Sequence, residues 1–288
     1  MSEKKQEDFF LSLKDAGQKA INGGVPGAVA MIAQIFTLMW LRTIMNYQYR
    51  YGTSIGHTIR TLYVQGGVLR FYKGFGPAML QGPLSRFGDT AANSGMLALL
   101  NDFESTKNLN VGIKTMAASL CAGIFRIGLM PIDTVKTILQ VEGKEGLSIL
   151  RMKMRNHGPS VFFYGSMGAA AATMVGHYPW FFTHNYLENK IPKPDGKWEK
   201  LARRGAIGFT ASVVSDTVSN SLRVLKTYRQ THSERLTYMQ SFKNVIQTEG
   251  ISGLLGRGLK TRILANGLQG CLFTIVWKGL EEKMTMLK

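Results

Sequence analysis

The sequence predicts an all-α membrane protein with six transmembrane helices in three pseudo-repeats. Three observations predict this fold: six weakly polar segments of helix-spanning length, aromatic and basic residues near the segment ends, and a short charged pattern that recurs with starts at residues 37, 131 and 221. A bilayer core of ~30 Å needs about 20 helical residues, which each segment approaches or exceeds. None of the segments is a continuous apolar block, as is typical of helices that line a water-filled cavity.

Composition restricts the function. Of 288 residues, 45% are hydrophobic, and the formal net charge is +17. That charge implies an anionic partner: nucleic acid, anionic lipid or an anionic solute. The basic residues are spread along the chain, and no zinc-ligand spacing or helix-turn-helix pattern accompanies them, which argues against nucleic acid. No nucleophile–base pattern, phosphate-binding loop or metal-ligand spacing stands out, so we predict neither an enzyme nor a cofactor.

The repeats divide the chain as follows. Residues 1–20 are expected to form an extension with a short amphipathic interfacial helix, Phe9–Ala20, and the three repeats then cover residues 21–105, 106–195 and 196–288. Each repeat has two apolar segments joined by a polar amphipathic stretch. The two cysteines, Cys121 and Cys271, fall in apolar segments and are expected to be buried thiols.

The second repeat carries the clearest pattern, the decapeptide Pro131–Gln140. Pro131 is expected to kink a helix, because it has no N–H to donate and its ring crowds the preceding turn. Asp133 and Lys136 stand three residues apart, and so lie on neighbouring faces of the next turn. The pattern therefore predicts a functional pair of charged side chains beside a kink, at the end of an apolar helix.

Two further copies align with this decapeptide, Thr37–Asn46 and Ser221–Gln230. Pairs of small residues four apart, which let helices approach closely, begin thirteen residues before each copy. Downstream, pairs of glycines share one spacing in the first two repeats and are one residue further apart in the third. The decapeptide, the pair of small residues and the pair of glycines recur in the same order at matching distances, which predicts a threefold repeat.

The pattern Pro-x-Asp/Glu-x-x-Lys/Arg, followed by Gln, closely resembles the signature of the mitochondrial carrier family. With the repeats, this resemblance covers the chain after about residue 20. It implies a multi-pass protein of the mitochondrial inner membrane, with the lipid bilayer and cardiolipin as partners. The N-termini of helices that start near Gly74 and Gly165 are also suited to lipid phosphates.

The resemblance also assigns roles to the signature positions. In the family, acids and bases from neighbouring odd-numbered helices pair to close the matrix side, and a glutamine braces each pair. The acidic positions here hold Met39, Asp133 and Arg223; the basic positions hold Arg42, Lys136 and Lys226; the bracing positions hold Asn46, Gln140 and Gln230. Asp133 is the one acid, and we expect it to pair with Lys226. The chain is thus identified as a degenerate member.

Substrate contacts in the family come from the even-numbered helices, about two turns after their first glycine. Counting seven residues from those glycines gives Gln81, Ala172 and Ala265, none of them charged. Arg86 and Arg126 are further cations that can reach a cavity, whereas Arg262 matches a position that is structural in the family. The opposite gate is represented by an approximate motif at Tyr186–Lys190 and a second at Leu280–Lys283.

Two functions follow. The missing gate acids and uncharged contact points favour a non-transporting accessory subunit of a larger, respiratory-type inner-membrane complex. The alternative is an active solute carrier that moves a small metabolite by alternating access.

Overall fold

The computed structural model describes residues 3–270 and residue 272, and this part of the chain contains helices and no strand. The first repeat comprises α1 (Glu3–Tyr51), α2 (Ile55–Arg70), α3 (Phe75–Asp102) and the one-turn α4 (Glu104–Lys107). The second comprises α5 (Val111–Gly128), α6 (Met130–Glu142), α7 (Gly146–His157) and α8 (Ser166–Lys190), with 3-10 turns at Gly143–Glu145 and Pro159–Phe163. The third comprises α9 (Lys197–Thr231), α10 (Tyr238–Gly256) and α11, described over residues 259–270.

The six long helical units form a closed ring. Along the chain, α1 packs on α3, α3 on α5, α5 on α8 and α8 on α9. The ring closes because Ala265 of α11 packs against Leu38 and Leu41 of α1. By hydropathy, no single helix among the described residues qualifies as a bilayer span, but the bent pair 112–128 and 130–157, which meet at 67°, does so. This ring is the all-α carrier fold.

The N-terminal region differs from the expectation. A separate helix was expected over Phe9–Ala20, but α1 runs unbroken from Glu3 to Tyr51. The expected boundary rested on a change of composition near Ile21, but the backbone stays helical there, through Gly23, Gly24 and Pro26, although glycine and proline disfavour helix interiors. An i,i+4 ion pair between Asp15 and Lys19 at 2.6 Å lies within this stretch and supports the helix there.

The odd-numbered helices of the repeats, which are the first long helix of each repeat (α1, α5 with α6, and α9), differ in where they bend. In the second repeat the helix is interrupted at Leu129, directly before the turn that contains Pro131. The aligned positions in the other repeats hold Thr37 and Ser221, and α1 and α9 run through them without interruption. The interruption therefore occurs where a proline removes a donor and crowds the preceding turn.

The threefold repeat is visible in the backbone as glycines with positive φ. An equivalent pair of glycines in each repeat adopts φ between +61° and +91°, a region that side chains with a Cβ rarely enter. The pairs are Gly67 and Gly74, Gly158 and Gly165, and Gly250 and Gly258. The second glycine of each pair directly precedes the even-numbered helix, which is the second long helix of its repeat (α3, α8 or α11). The glycines predicted from spacing therefore mark the same turn in all three repeats.

Each of these starting glycines also packs against the next repeat. A Cβ at Gly74 would lie 3.0 Å from the carbonyl oxygen of Lys136, on the odd-numbered helix of the second repeat. A Cβ at Gly165 would lie 2.9 Å from Gln230 Cγ in the third repeat, and one at Gly258 would lie 2.7 Å from a ring carbon of Tyr49 in the first. The repeats thus hold one another in cyclic order, each through a position where only glycine fits.

A basic side chain reinforces each of these contacts. Arg70 donates to the carbonyls of Gln140 (2.8 Å) and Val141 (2.6 Å), at the end of α6. The other two repeats do the same at the next odd-numbered helix: Lys153 donates to Gln230 (2.9 Å) and His232 (2.6 Å), and Arg257 donates to Tyr49 (3.4 Å) and Arg50 (3.2 Å). Cations at helix C-termini satisfy the last carbonyls and oppose the negative end of the helix dipole.

Lys153 is the most buried of these three cations, at 1% exposure. Burial, and then the charge of Arg50, lowers the pKa of the Lys153 amine to about 8. The unfolded chain, with an ordinary lysine, therefore binds more protons than the folded one between about pH 8 and 10.5. The contribution of Lys153 to stability consequently rises with pH across that window.

We expect Gly165→Ala to lower the stability of the detergent-purified protein by about 2 kcal/mol or more, because alanine is strained at positive φ and its Cβ would meet Gln230. The matched control is Gly76→Ala, in the first turn of α3, where a Cβ meets nothing within 4 Å. That change is expected to be neutral or to stabilise by about 0.5 kcal/mol. Apparent melting temperatures measure both, and a loss at Gly76 that equals the loss at Gly165 would contradict the packing argument.

We expect Lys153→Met to destabilise the protein by about 2 kcal/mol at pH 7, because two helix-terminal carbonyls lose their donor. The stability gap between wild type and variant should widen from pH 7.5 to pH 9.5, since neutralising the amine relieves its burial while its N–H groups still donate. Lys144→Met, at an exposed position in the same repeat, is the control. A gap that narrows as pH rises would rule out this account.

Candidate functional site

Asp133 is the centre of a buried charged cluster where the second and third repeats meet. Its Oδ2 lies 2.6 Å from Lys226 Nζ, across the repeat boundary, and its Oδ1 lies 2.6 Å from Lys136 Nζ on its own helix. Asp133 is 6% exposed. One carboxylate thus pairs with two ammonium groups, and the pair with Lys226 that the sequence suggested is present as a contact. Its role as a gate stays a prediction.

The bracing residues join neighbouring repeats by neutral hydrogen bonds. Gln230 Nε2 donates to Thr134 Oγ1 at 3.1 Å and lies 3.4 Å from Asp133 Oδ2. At the boundary between the first and second repeats, Asn46 Nδ2 donates to Gln140 Oε1 at 2.6 Å. That boundary has Met39 at its acidic position, so the amide pair stands in place of an ion pair between the signature residues.

The boundary between the third and first repeats brings two cations to the signature positions. Arg223 stands where an acid is expected, and it turns back to its own helix, 3.3 Å from Ser219 Oγ and 3.8 Å from Asp216 Oδ1. Arg42 stands at the matching basic position. Among the described residues, its guanidinium donates to Met31 Sδ at 3.5 Å, and its Nε is buried without a partner.

Three groups that sequence reasoning missed complete the interior. Asp216 accepts from Asn266 and lies 2.6 Å from Arg262 Nε, so Arg262 belongs to the charged interior. Asp89 on α3 forms a two-point pair with Arg126 on α5, with Nε 3.0 Å from Oδ1. A carboxylate inside an apolar segment was the available signal for both aspartates, because such residues in spanning helices are rare and paired.

The interior is therefore strongly cationic. Its cationic side chains among the described residues are Arg42, Arg126, Lys136, Arg223, Lys226 and Arg262, and its carboxylates are Asp89, Asp133 and Asp216. The charge of Arg262 acts on Arg42, Arg126 and Arg223, and that of the exposed Arg86 also acts on Arg42. Cations thus outnumber carboxylates by six to three, which makes the interior attractive to an anion.

The three predicted solute contact points, Gln81, Ala172 and Ala265, lie in different surroundings. Gln81 Oε1 accepts from Lys136 Nζ at 2.8 Å, so this residue joins the charged cluster. Ala172 and Ala265 are 1% and 4% exposed. Residues this small also suit close helix packing, and their role as solute contact points stays a prediction.

The remaining predicted sites lie at the ends of helices. Gly74 and Gly165 precede α3 and α8 and provide no side-chain cap, so the helix N-termini that suit lipid phosphate are in place and the lipid sites stay predictions. In the approximate motif Tyr186–Lys190, Glu188 pairs at 2.8 Å with Arg203 on α9. Cys121 is a half-buried free thiol. The Leu280–Lys283 motif and Cys271 lie outside the described residues.

We expect Asp133→Asn to destabilise the protein by about 3–5 kcal/mol, because it leaves two buried ammonium groups without a counter-charge. Lys226→Met should cost less than half as much, since Lys136 still neutralises Asp133. The double variant should recover part of the loss caused by Asp133→Asn. Apparent melting temperatures of the purified variants test this order, and equal losses in the two single variants would show that Lys136 does not share the carboxylate.

Comparison with known proteins agrees with this architecture. A family model described as "Mitochondrial carrier protein" matches residues 197–286. A mitochondrial carrier-like protein of Acanthamoeba polyphaga mimivirus is 23% identical over 197 residues, which cover 68% of this chain and 73% of the relative. The Arabidopsis thaliana calcium-dependent mitochondrial ATP-magnesium/phosphate carrier protein 3 is 22% identical over 280 residues, or 92% of this chain and 56% of the relative.

A third relative, mitochondrial substrate carrier family protein E of Dictyostelium discoideum, is 26% identical over 167 residues. That match covers 51% of this chain and 55% of the relative, so the chain spans about half the length of two of these three proteins. The relatives, the matched third repeat and the cyclic packing of three equivalent units agree with one another. The chain therefore resembles mitochondrial carrier proteins at 22–26% identity, and its third repeat matches the model of that family.

Proposed function

We propose that this protein is a multi-pass carrier of the mitochondrial inner membrane and that its solute is a small anion. The observation that carries the proposal is Arg42, a half-buried guanidinium whose Nε is buried without a partner and on which the charges of Arg262 and Arg86 act. An ionisable side chain inside the membrane is costly, and such residues commonly mark solute pathways. A neutral or cationic solute would leave that cost in place.

Anion binding would offset this cost directly. Guanidinium groups present several N–H donors in a planar fork, which fits carboxylate and phosphate oxygens in a bidentate geometry. A bound anion between Arg42, Arg262 and Arg86 would gain charge-assisted hydrogen bonds and would weaken the repulsion among them. The interior is therefore suited to an anion with two or more negative charges.

The signature residues make different contacts at the three boundaries between repeats, as expected of a transporter whose gate opens at one boundary. The second and third repeats are joined by the Asp133–Lys226 ion pair, and the first and second by the Asn46–Gln140 amide pair. At the third boundary, Arg223 and Arg42 cannot attract each other. An anion that reaches Arg42 and Arg262 would supply the missing negative charge there, so solute binding and gate closure would be coupled.

A second candidate is supported by the same gate. With one ion pair between signature residues of different repeats in place of three, the ring lacks most of the family's gate pairs, as expected of a carrier fold retained as an accessory subunit of a larger inner-membrane complex. In that case the cations would meet carboxylates or lipid phosphates of the complex. The two candidates differ in whether the isolated protein moves solute.

The test is exchange in cardiolipin-containing liposomes. Labelled inorganic phosphate and ATP are the first probes, because the Arabidopsis thaliana relative is named for both. Malate is the carboxylate probe and arginine the cationic control. We expect exchange of at least one anion and none of arginine. Arg42→Gln should reduce anion exchange at least tenfold, whereas Arg60→Gln, at an exposed position on α2, should leave it unchanged.

The accessory role has a distinct outcome. If folded protein exchanges none of these probes, and the native protein co-migrates with a large complex on a native gel of solubilised inner membranes, the carrier proposal fails. Exchange of arginine in preference to the anions would also overturn it.

A further inference from the structure

Asp216 on α9 is shared by three side chains of the third repeat. Its Oδ1 lies 2.6 Å from Arg262 Nε and 3.8 Å from Arg223 Nη2, and its Oδ2 accepts a hydrogen bond from Asn266 Nδ2. Arg262 and Asn266 stand four residues apart on α11, and so lie on one face of that helix. The aspartate therefore joins α9 to α11 and contacts two guanidinium groups at once.

The aspartate is more deeply buried than the arginines that it contacts. Asp216 keeps 5% of its side-chain surface exposed, whereas Arg223 and Arg262 keep 21% and 20%. A solute in the interior would therefore meet the guanidinium groups, with the carboxylate behind them. Because the acid does not fill the accessible side, it lowers the charge of the site without taking the place of a solute.

Arg262 also reaches the first repeat, where Arg42 stands. Its Nη1 lies 4.0 Å from Met45 Sδ on α1, and Met45 follows Arg42 by three residues, on the next turn of the same helix. Arg42 is half-buried, and its Nε has no partner among the described residues. Arg42, Arg223 and Arg262 thus stand at the boundary between the third and first repeats, and we call these three residues the arginine site.

The charges at the arginine site define the anion that suits it. Three guanidinium groups carry one positive charge each, and Asp216 carries one negative charge, which leaves an excess of two positive charges. An uncompensated charge away from water is costly, so the favoured solute is the one whose charge cancels this excess. A monoanion would leave a positive charge in the site, and a trianion would leave a negative one.

We propose that Asp216 sets the charge class of the solute, so that the arginine site selects a dianion over monoanions and trianions. The proposal rests on the proposed anion carrier and names the class of solute that its site takes. Asp216 acts through Arg223 and Arg262 and does not touch the solute itself. Guanidinium groups on separate helices can each bind one charged group of a dianion in a bidentate geometry.

The experiment compares three hydroxy acids that differ mainly in their number of carboxylates. Lactate is the monoanion, malate the dianion and citrate the trianion, at a pH of about 7.5, where these carboxylates are ionised. Exchange of each labelled acid is measured in the liposomes described above, and binding is measured separately from the rise in melting temperature of the purified protein. For the wild type, we expect malate to bind about tenfold more tightly than either of the other acids and to exchange fastest.

The decisive variant is Asp216→Asn, whose amide oxygen can still accept from Asn266 but carries no charge. It leaves an excess of three positive charges, so citrate should gain about tenfold relative to malate. Arg223→Gln leaves an excess of one, so lactate should gain by a similar factor relative to malate. Glu234→Gln removes the same charge as Asp216→Asn at an exposed position of the third repeat, and it should leave both ratios unchanged.

The outcomes separate this proposal from the carrier. Exchange in which the wild type prefers lactate or citrate, or in which folded Asp216→Asn keeps the wild-type ratios or weakens all three acids equally, overturns the role of Asp216 and leaves the carrier intact. Binding with the expected order and shifts, but without exchange, overturns the carrier and keeps the charge selection. Absence of both binding and exchange for every anion overturns both. Should Asp216→Asn fail to fold, the wild-type order and Arg223→Gln still decide.

Discussion

The structure depends on one recurring contact, in which the first glycine of each even-numbered helix lies against the odd-numbered helix of the next repeat. Gly74, Gly165 and Gly258 satisfy two demands at once, a left-handed backbone and a space that admits no Cβ. Because the contact runs from each repeat to the next and returns to the first, the ring closes. The charged interior is fixed by this closure, since Lys136, Lys226 and Arg42 all stand on helices that these glycines hold.

Much of this architecture could be predicted from the sequence. The glycine spacings and the three aligned decapeptides are local patterns, and the structure places them at equivalent turns. The Asp133–Lys226 contact was also accessible, because Asp133 is the one acid among the aligned signature positions. The prediction of a separate helix over Phe9–Ala20 is wrong, because the composition changes near Ile21 while the backbone stays helical.

The electrostatic partners could not be predicted in the same way. Asp89 and Arg126 are 37 residues apart in the sequence, and Asp216 and Asn266 are 50 apart, so their pairing depends on how the helices pack. Reading the signature alone emphasises the missing acids and favours an inert scaffold. Seen with its neighbours, the same region is a cationic interior with an unsatisfied guanidinium, which favours anion binding. The sequence yields the fold, and side-chain placement changes which function is preferred.

The cations that cap the odd-numbered helices have an evolutionary consequence. Arg70, Lys153 and Arg257 stand four, twelve and one residues before the starting glycine of their repeats, yet each reaches the same kind of carbonyl pair. Donation to these carbonyls requires a cation within reach, but the cation need not stand at one particular aligned position. Loss of one such residue is therefore repairable by a second-site substitution elsewhere in the same loop. Sequence drift of this kind is compatible with a preserved ring, and it is in keeping with relatives that share only 22–26% identity with this chain.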